Sequence, residues 1–194
     1  MMRREQAERT RELLLDAAAE EFWLHGLGGT RIQDVLDRAG VTKGGLYHHF
    51  TSKLEMAQAL AEGEDAAWRA ALVVPPPVRG LAAVEAVALA VAARLGADVR
   101  ARAVLRITEE LGTPEAASPF VVWQDVVILG LQQAIADAQV PDSIPIREVA
   151  ATVVEAVHGA CVTPAPAARD VDAPTRVRRM WRLLEPGLRA AAAA

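Results

Sequence analysis

The sequence predicts an all-α protein of about nine helices, a small N-terminal helix-turn-helix of three helices joined to a larger helical bundle. Three observations carry this. Apolar residues recur at helical spacing from end to end, and no β-type alternation competes with them. Glycine and proline punctuate the chain at intervals suited to helices rather than strands. The stretch Thr30 to Lys53, TRIQDVLDRAGVTKGGLYHHFTSK, reads as two short helices around a tight turn.

Helix one is expected from Glu5 to about His25, with Leu14, Ala17, Ala18 and Phe22 as its buried stripe and Gly26, Gly28 and Gly29 ending it. Residues 1–4 form a basic arm, and Arg9 and Arg11 lie where they could touch a phosphate backbone or simply face solvent. In the next helix Thr30 and Gln33 have the spacing of a capping box, and Ile32, Val35, Leu36 and Ala39 make the apolar stripe. Gly40 stops that helix, because a left-handed residue costs glycine nothing. Val41 would bury in the elbow, and Thr42 would cap a third helix running to about Phe50.

That third helix is a poor packing element. Gly44 and Gly45 in its first turn each cost about 1 kcal/mol relative to alanine. Around them stand Lys43, Tyr47, His48, His49, Thr51, Ser52 and Lys53, with no acid between Asp37 and Glu55. A short, donor-rich helix with its free N–H groups forward suits phosphate. The expected DNA-facing set is Thr30, Thr42, Lys43, Gly44, Tyr47, His48 and Lys53.

Helix four should run from Lys53 to about Val73, stopped by Pro75, Pro76 and Pro77. Helices five to nine follow at roughly 78–95, 98–111, 118–139, 146–162 and 175–190, separated by Gly112-Thr113-Pro114, Pro141 and Pro145, and a Pro164–Pro174 loop. A composition shift near residue 53 divides a DNA-binding domain, 1–53, from a larger helical bundle, 54–194. Two apolar stripes, Val149, Val153 and Val157, then Val177, Trp181, Leu184 and Leu188, fit a homodimer surface or the protomer's own core. Dimerisation is the stronger reading, since helix-turn-helix proteins usually meet two half-sites related by a two-fold axis. Val153, Val157, Val177, Trp181 and Leu184 are the interface candidates.

Other classes find less support. The net charge is −4, so any nucleic-acid footprint is local. A single cysteine, Cys161, fits a reducing cytoplasm. The N-terminus has no apolar signal core, and no long apolar run suggests a membrane span, Glu85 and Arg94 interrupting the most apolar stretch. There is no G-x-S-x-G elbow, no H-E-x-x-H and no phosphate-binding glycine loop, so an enzyme is not expected, nor a cofactor. His158 and Cys161, i and i+3 on one helix, are too few for a metal sensor.

The pattern T-R-I-x-D-V-x-x-x-A-G-V-T-K-G-G-L-Y-H-H-F-x-S-K resembles the N-terminal domain of the tetracycline-repressor (TetR) family of transcription regulators. Gly45 stands where relatives commonly carry Ala, Ser or Thr, Leu54 replaces a common acid, and Leu27 a frequent aromatic. The resemblance implies a homodimer on double-stranded, pseudo-palindromic operator DNA, and a bundle that holds a small effector. The segment S-P-F-V-V-W-Q further resembles the P-F-x-x-W of γ-butyrolactone receptors, repressors that sense hormone-like lactones and control antibiotic production. It implies that Trp123 packs on the ligand ring, with a butyrolactone, butenolide or furan as effector. Phe120, Gln124, Thr108 and His158 are the accompanying candidates, polar or aromatic insertions suited to a mostly apolar pocket. Ala160 and Glu64 stand where that subgroup often has Thr and Gln. An unrelated hydrophobic compound, sensed for an efflux or catabolic operon, is the alternative.

Overall fold

A computed structural model describes residues 2–73, 77–112, 119–163 and 170–190. The expected breaks at Pro75 and Pro76, at Thr113 to Ser118 and through most of the Pro164–Pro174 loop lie outside them. The described residues are helical with no strand: α1 Met2–Gly29, α2 Ile32–Ala39, α3 Lys43–His49, α4 Lys53–Ala71, α5 Leu81–Ala97, α6 Val99–Leu111, α7 Pro119–Ala136, α8 Ile146–Val162 and α9 Ala173–Ala190. All-α architecture is thus as the periodicity predicts.

The chain forms two compact units. The first comprises residues 1–67 and 98–114, the second 68–97 and 115–194. This division differs from 1–53 and 54–194, because α6 belongs with α1. Arg100 explains part of it: its guanidinium reaches Asp16 at 2.7 Å and Glu12 at 2.9 Å, while Asp98 caps the helix by accepting from the Arg100 amide. Such a two-carboxylate fork fixes orientation as well as contact. Beneath it Ala103, Val104 and Ile107 join Leu14, Ala18, Phe22, Val35, Leu36, Leu46 and Leu60 in one buried cluster.

Two expected features of α1 and α2 take a different form. Gly26 (φ 73°) breaks α1, so that Leu27 to Gly29 form a separate turn. The capping box does not form: Arg31 occupies the N-cap with no side-chain bond, Thr30 Oγ1 donates to the Gly26 carbonyl at 2.7 Å, and Gln33 donates to Asp37. The Gly26 carbonyl, which also accepts from the Thr30 amide, gives that hydroxyl a local alternative to capping. Gly40 closes α2 as predicted, in the left-handed region (φ 65°), with the Gly40 and Val41 amides both donating to Leu36.

In the second unit α5, α7, α8 and α9 pack on one another. The apolar stripes finish the protomer's own core. Val153, Val157, Val177 and Trp181 are buried inside this single chain, Trp181 at 1% exposure, and Val153 also lines a surface groove. Leu184 alone of the interface candidates stays half-accessible. It lines a shallow groove of about 370 Å³ with Val149, Thr152, Gly187 and Leu188. α7 has a mean hydropathy of 1.3 over 18 residues, long and apolar enough to cross a membrane, which the reading of no such run overlooked. Its buried residues, among them Trp123, Val127, Gly130 and Leu131, follow helical spacing, as in a bundle core. α9 carries Pro186 in its interior.

Candidate nucleic-acid interface and effector site

The helix-turn-helix forms as its local chemistry dictates. Thr42 is the N-cap of α3, its hydroxyl accepting from the Gly45 amide at 3.2 Å. Leu46 and Phe50 anchor the helix in the core, while Lys43, Gly44, Tyr47 and His48 are exposed. Positions i, i+1, i+4 and i+5 share one face of a helix, so these four present a single surface. Tyr47 is half exposed, an unusual expenditure of a large ring unless something covers it. Burial, with the neighbouring His48 and Arg11, pushes His49 below the ordinary imidazole range, so it adds no charge to this face at neutral pH.

The two glycines differ in purpose. A Cβ on Gly45 would stand 2.9 Å from Val41 Cγ1, so Gly45 lets the elbow valine pack close. A Cβ on Gly44 would meet nothing within 4 Å. Its helix-propensity cost, about 1 kcal/mol, therefore gains nothing inside the protein. That is expected where an outside surface must approach the backbone.

Thr30 and Lys53 do not join that face. Thr30 is 3% exposed, and its hydroxyl is spent on Gly26. Lys53 Nζ donates to the carbonyls of Gly28 (3.0 Å) and Thr30 (3.1 Å), tying the start of α4 to the α1–α2 turn. Only one of the three ammonium donors is left. Lys53→Ala is accordingly expected to lower stability by about 1–2 kcal/mol, two charge-assisted bonds being lost at a partly exposed site. It should leave the salt dependence of DNA binding unchanged; a slope smaller by about 0.9 would instead make Lys53 a phosphate contact. At α4 the capping box forms with a variation. The Glu55 amide donates to Ser52 Oγ, but the Glu55 carboxylate accepts from the Thr51 hydroxyl and amide, which hold it below the usual carboxylate range.

The second unit gathers Trp123, Phe120 and His158, and adds Trp68. Trp123 lies 5.1 Å from Trp68 and 5.3 Å from Phe120 between ring centroids, and Phe120 lies 5.1 Å from His158, edge to face. The Arg94 guanidinium stands over the Trp68 ring at 5.0 Å. Both tryptophans are at most 2% exposed, and among the described residues neither indole N–H has a hydrogen-bond partner. A buried donor without an acceptor costs about 1–3 kcal/mol, so this cluster is chemically unfinished. Gln124 and Thr108 both bond to backbone carbonyls. Gln124 donates to the Arg147 carbonyl at 3.4 Å. Thr108 belongs to the first unit, its hydroxyl on the Val104 carbonyl. Cys161, beside the cluster in sequence, has its thiol pushed up to about 11 by burial and is no ready thiolate ligand. Among the described residues no three metal-ligating side chains come together.

Sequence reasoning marks Arg106 only as a polar insertion in an apolar helix, and it missed Glu110 on α6. Glu110 accepts from the Gly28 amide at 3.2 Å, and Arg106 donates to the Trp23 carbonyl at 2.5 Å. The i, i+4 spacing of the pair was the only available sign.

A short capped helix after a glycine-closed turn, exposed along one side, is what a helix-turn-helix protein offers to a DNA groove. Comparison with known proteins narrows that class. Residues 14–60 match the family described as bacterial regulatory proteins, tetR family. The regulator TtgR of Pseudomonas putida is 41% identical over 64 residues, 32% of this chain and 30% of TtgR. The repressor KstR2 of Mycobacterium tuberculosis is 48% identical over 50 residues, 26% of this chain and 25% of KstR2. The chain therefore matches less than a third of the length of these curated relatives.

Solved structures match throughout. CprB of Streptomyces coelicolor, a TetR family protein in complex with its operator, is 30% identical with a TM-score of 0.79, over 96% of this chain and 94% of that one. A γ-butyrolactone receptor (ArpA like protein) is 27% identical with a TM-score of 0.77, over 97% and 96%. The chain belongs to the TetR family, and its likeness to γ-butyrolactone receptors runs nearly its full length. The family and the matched relatives are transcriptional regulators, not enzymes.

Proposed function

We propose that this protein is a ligand-released repressor, acting in the cytoplasm as a homodimer on a pseudo-palindromic operator. The observation that carries the DNA half is the α3 face, where Gly44 is bare beside exposed Lys43, Tyr47 and His48. Two such helices about 34–36 Å apart would meet successive major grooves. The α8–α9 groove, with Leu184 and Leu188 half-accessible along it, is the surface left for the second copy. Lys43→Ala with Tyr47→Phe should weaken binding to the protein's upstream intergenic DNA at least tenfold. Melting should barely move, since exposed substitutions stay within about 0.5 kcal/mol. Unchanged affinity would remove α3 as the reading helix.

The effector half rests on the aromatic cluster. Two orphaned indole donors suit an acceptor-bearing, mostly apolar molecule, and a γ-butyrolactone, butenolide or furan has that chemistry. The cleft against Trp123, between Val87, Val91, Val127, Val153 and Val157, holds only about 10 Å³, roughly one water. Ligand must therefore part the rings, so binding selects a different arrangement of the bundle. Taking operator occupancy from 99:1 to 1:99 requires about 5.5 kcal/mol of preference for that state. Control of secondary-metabolite genes is the setting such an effector implies. The TtgR and KstR2 matches are confined to the DNA-reading end and do not bear on the effector.

A further inference from the structure

The polar groups of the α1–α2 turn are held from two other helices at one residue. The Gly28 amide donates to Glu110 Oε2 at the end of α6, and the Gly28 carbonyl accepts from Lys53 Nζ at the start of α4. Gly28 and Gly29 have no side chain to anchor this turn, so beside the buried Leu27 and Thr30 it is these polar contacts that hold it. Glu110 is held in turn. Its Oε1 lies 3.3 Å from Arg106 Nε, and Arg106 also donates to the Trp23 carbonyl just before the break. A Cβ on Gly26 would sit 1.9 Å from Glu110 Oε1. Glycine at 26 thus serves twice, by its positive φ and by leaving room for the carboxylate.

We infer that Glu110 is a positioning residue for the helix-turn-helix: its carboxylate, through the Gly28 amide, sets the orientation of α2 and α3. The functional half of this inference rests on the DNA-reading role proposed above.

The test compares hydrogen exchange in the full-length wild type, Glu110→Ala and Glu110→Gln, without DNA. Glutamine keeps an acceptor oxygen for Gly28 and loses only the charge pair with Arg106. Exchange across residues 26–50 should quicken at least tenfold in the alanine variant, while α8 and α9 keep the wild-type rate. The glutamine variant should stay within about threefold of wild type. Rates unchanged in Glu110→Ala would overturn the inference, as would glutamine behaving like alanine, which would assign the effect to the ion pair. Affinity for the upstream intergenic DNA is the second readout. Glu110→Ala should weaken it about tenfold with the salt slope retained, because no phosphate contact is removed. Unchanged affinity beside quickened exchange would overturn the positioning role for DNA. Wild type failing to bind any such DNA would sink the repressor reading and leave the exchange result to decide the structural claim.

Discussion

Trp181→Asp will unfold the second unit rather than divide a dimer. The indole is 1% exposed inside the protomer, on α9, which packs on α5 and α8. Truncating a core tryptophan costs about 3–5 kcal/mol, and an unpaired carboxylate in its place adds several more. Against a total stability of roughly 5–15 kcal/mol, little remains. Circular dichroism and melting of the variant give the answer: loss of the cooperative transition is expected. A folded monomer with wild-type melting would return Trp181 to the subunit interface. Leu184→Asp is the contrasting change. Leu184 is only half-buried, so that variant should fold, and under the proposed homodimer it should sediment as a monomer beside a dimeric wild type.

Trp123 is expected to separate packing from sensing, provided two substitutions are compared. Trp123→Ala removes a buried ring in tilted and edge-on contact with Trp68 and Phe120 and should cost about 3–5 kcal/mol. DNA binding is then lost only as far as the fold is lost. Trp123→Phe keeps an aromatic ring and deletes an N–H that has no acceptor. Relief of that buried donor, about 1–3 kcal/mol, offsets the smaller ring's lost contacts, so melting should change little. If effector bonds to the indole, Trp123→Phe will bind operator normally and yet resist release by lactone or furan candidates. Normal release by a compound that releases wild type would make Trp123 ordinary core.

The parts legible in the sequence were those governed by neighbours along the chain. Gly40 and Thr42 define the elbow through bonds spanning three to five residues, and the structure places both as read. Thr30 shows the limit of such reading, since two local partners competed for one hydroxyl and the Gly26 carbonyl won. Apolar periodicity marks which side of α8 and α9 is buried but not what buries it, so Val153, Val157, Val177 and Trp181 looked alike for core and interface.

Long-range partnerships left no trace. Nothing in VRARAVLRITEEL announces that Arg100 reaches Asp16, or that Glu110 reaches Gly28, more than eighty positions away. The candidate effector residues were no easier to tell apart. Polar insertions along helices look equivalent in sequence, but helical phase turns Gln124 toward Arg147, and the fold assigns Thr108 to the other unit.

Pro186 has a consequence for the groove on α8 and α9. Proline lacks the N–H that would donate to the Arg182 carbonyl, and its ring crowds that turn. Gly187, next in the chain, adds backbone freedom. The Arg189–Glu185 pair, at 2.8 Å, spans the gap from the solvent side, but exposed pairs contribute little. The last turn of α9 is therefore a compliant rim, with Gly187 and Leu188 on it, while Val177 and Trp181 lie on the rigid stem before the proline. Whatever seats in the groove can be gripped by swinging that rim, at small cost and without disturbing the core beneath.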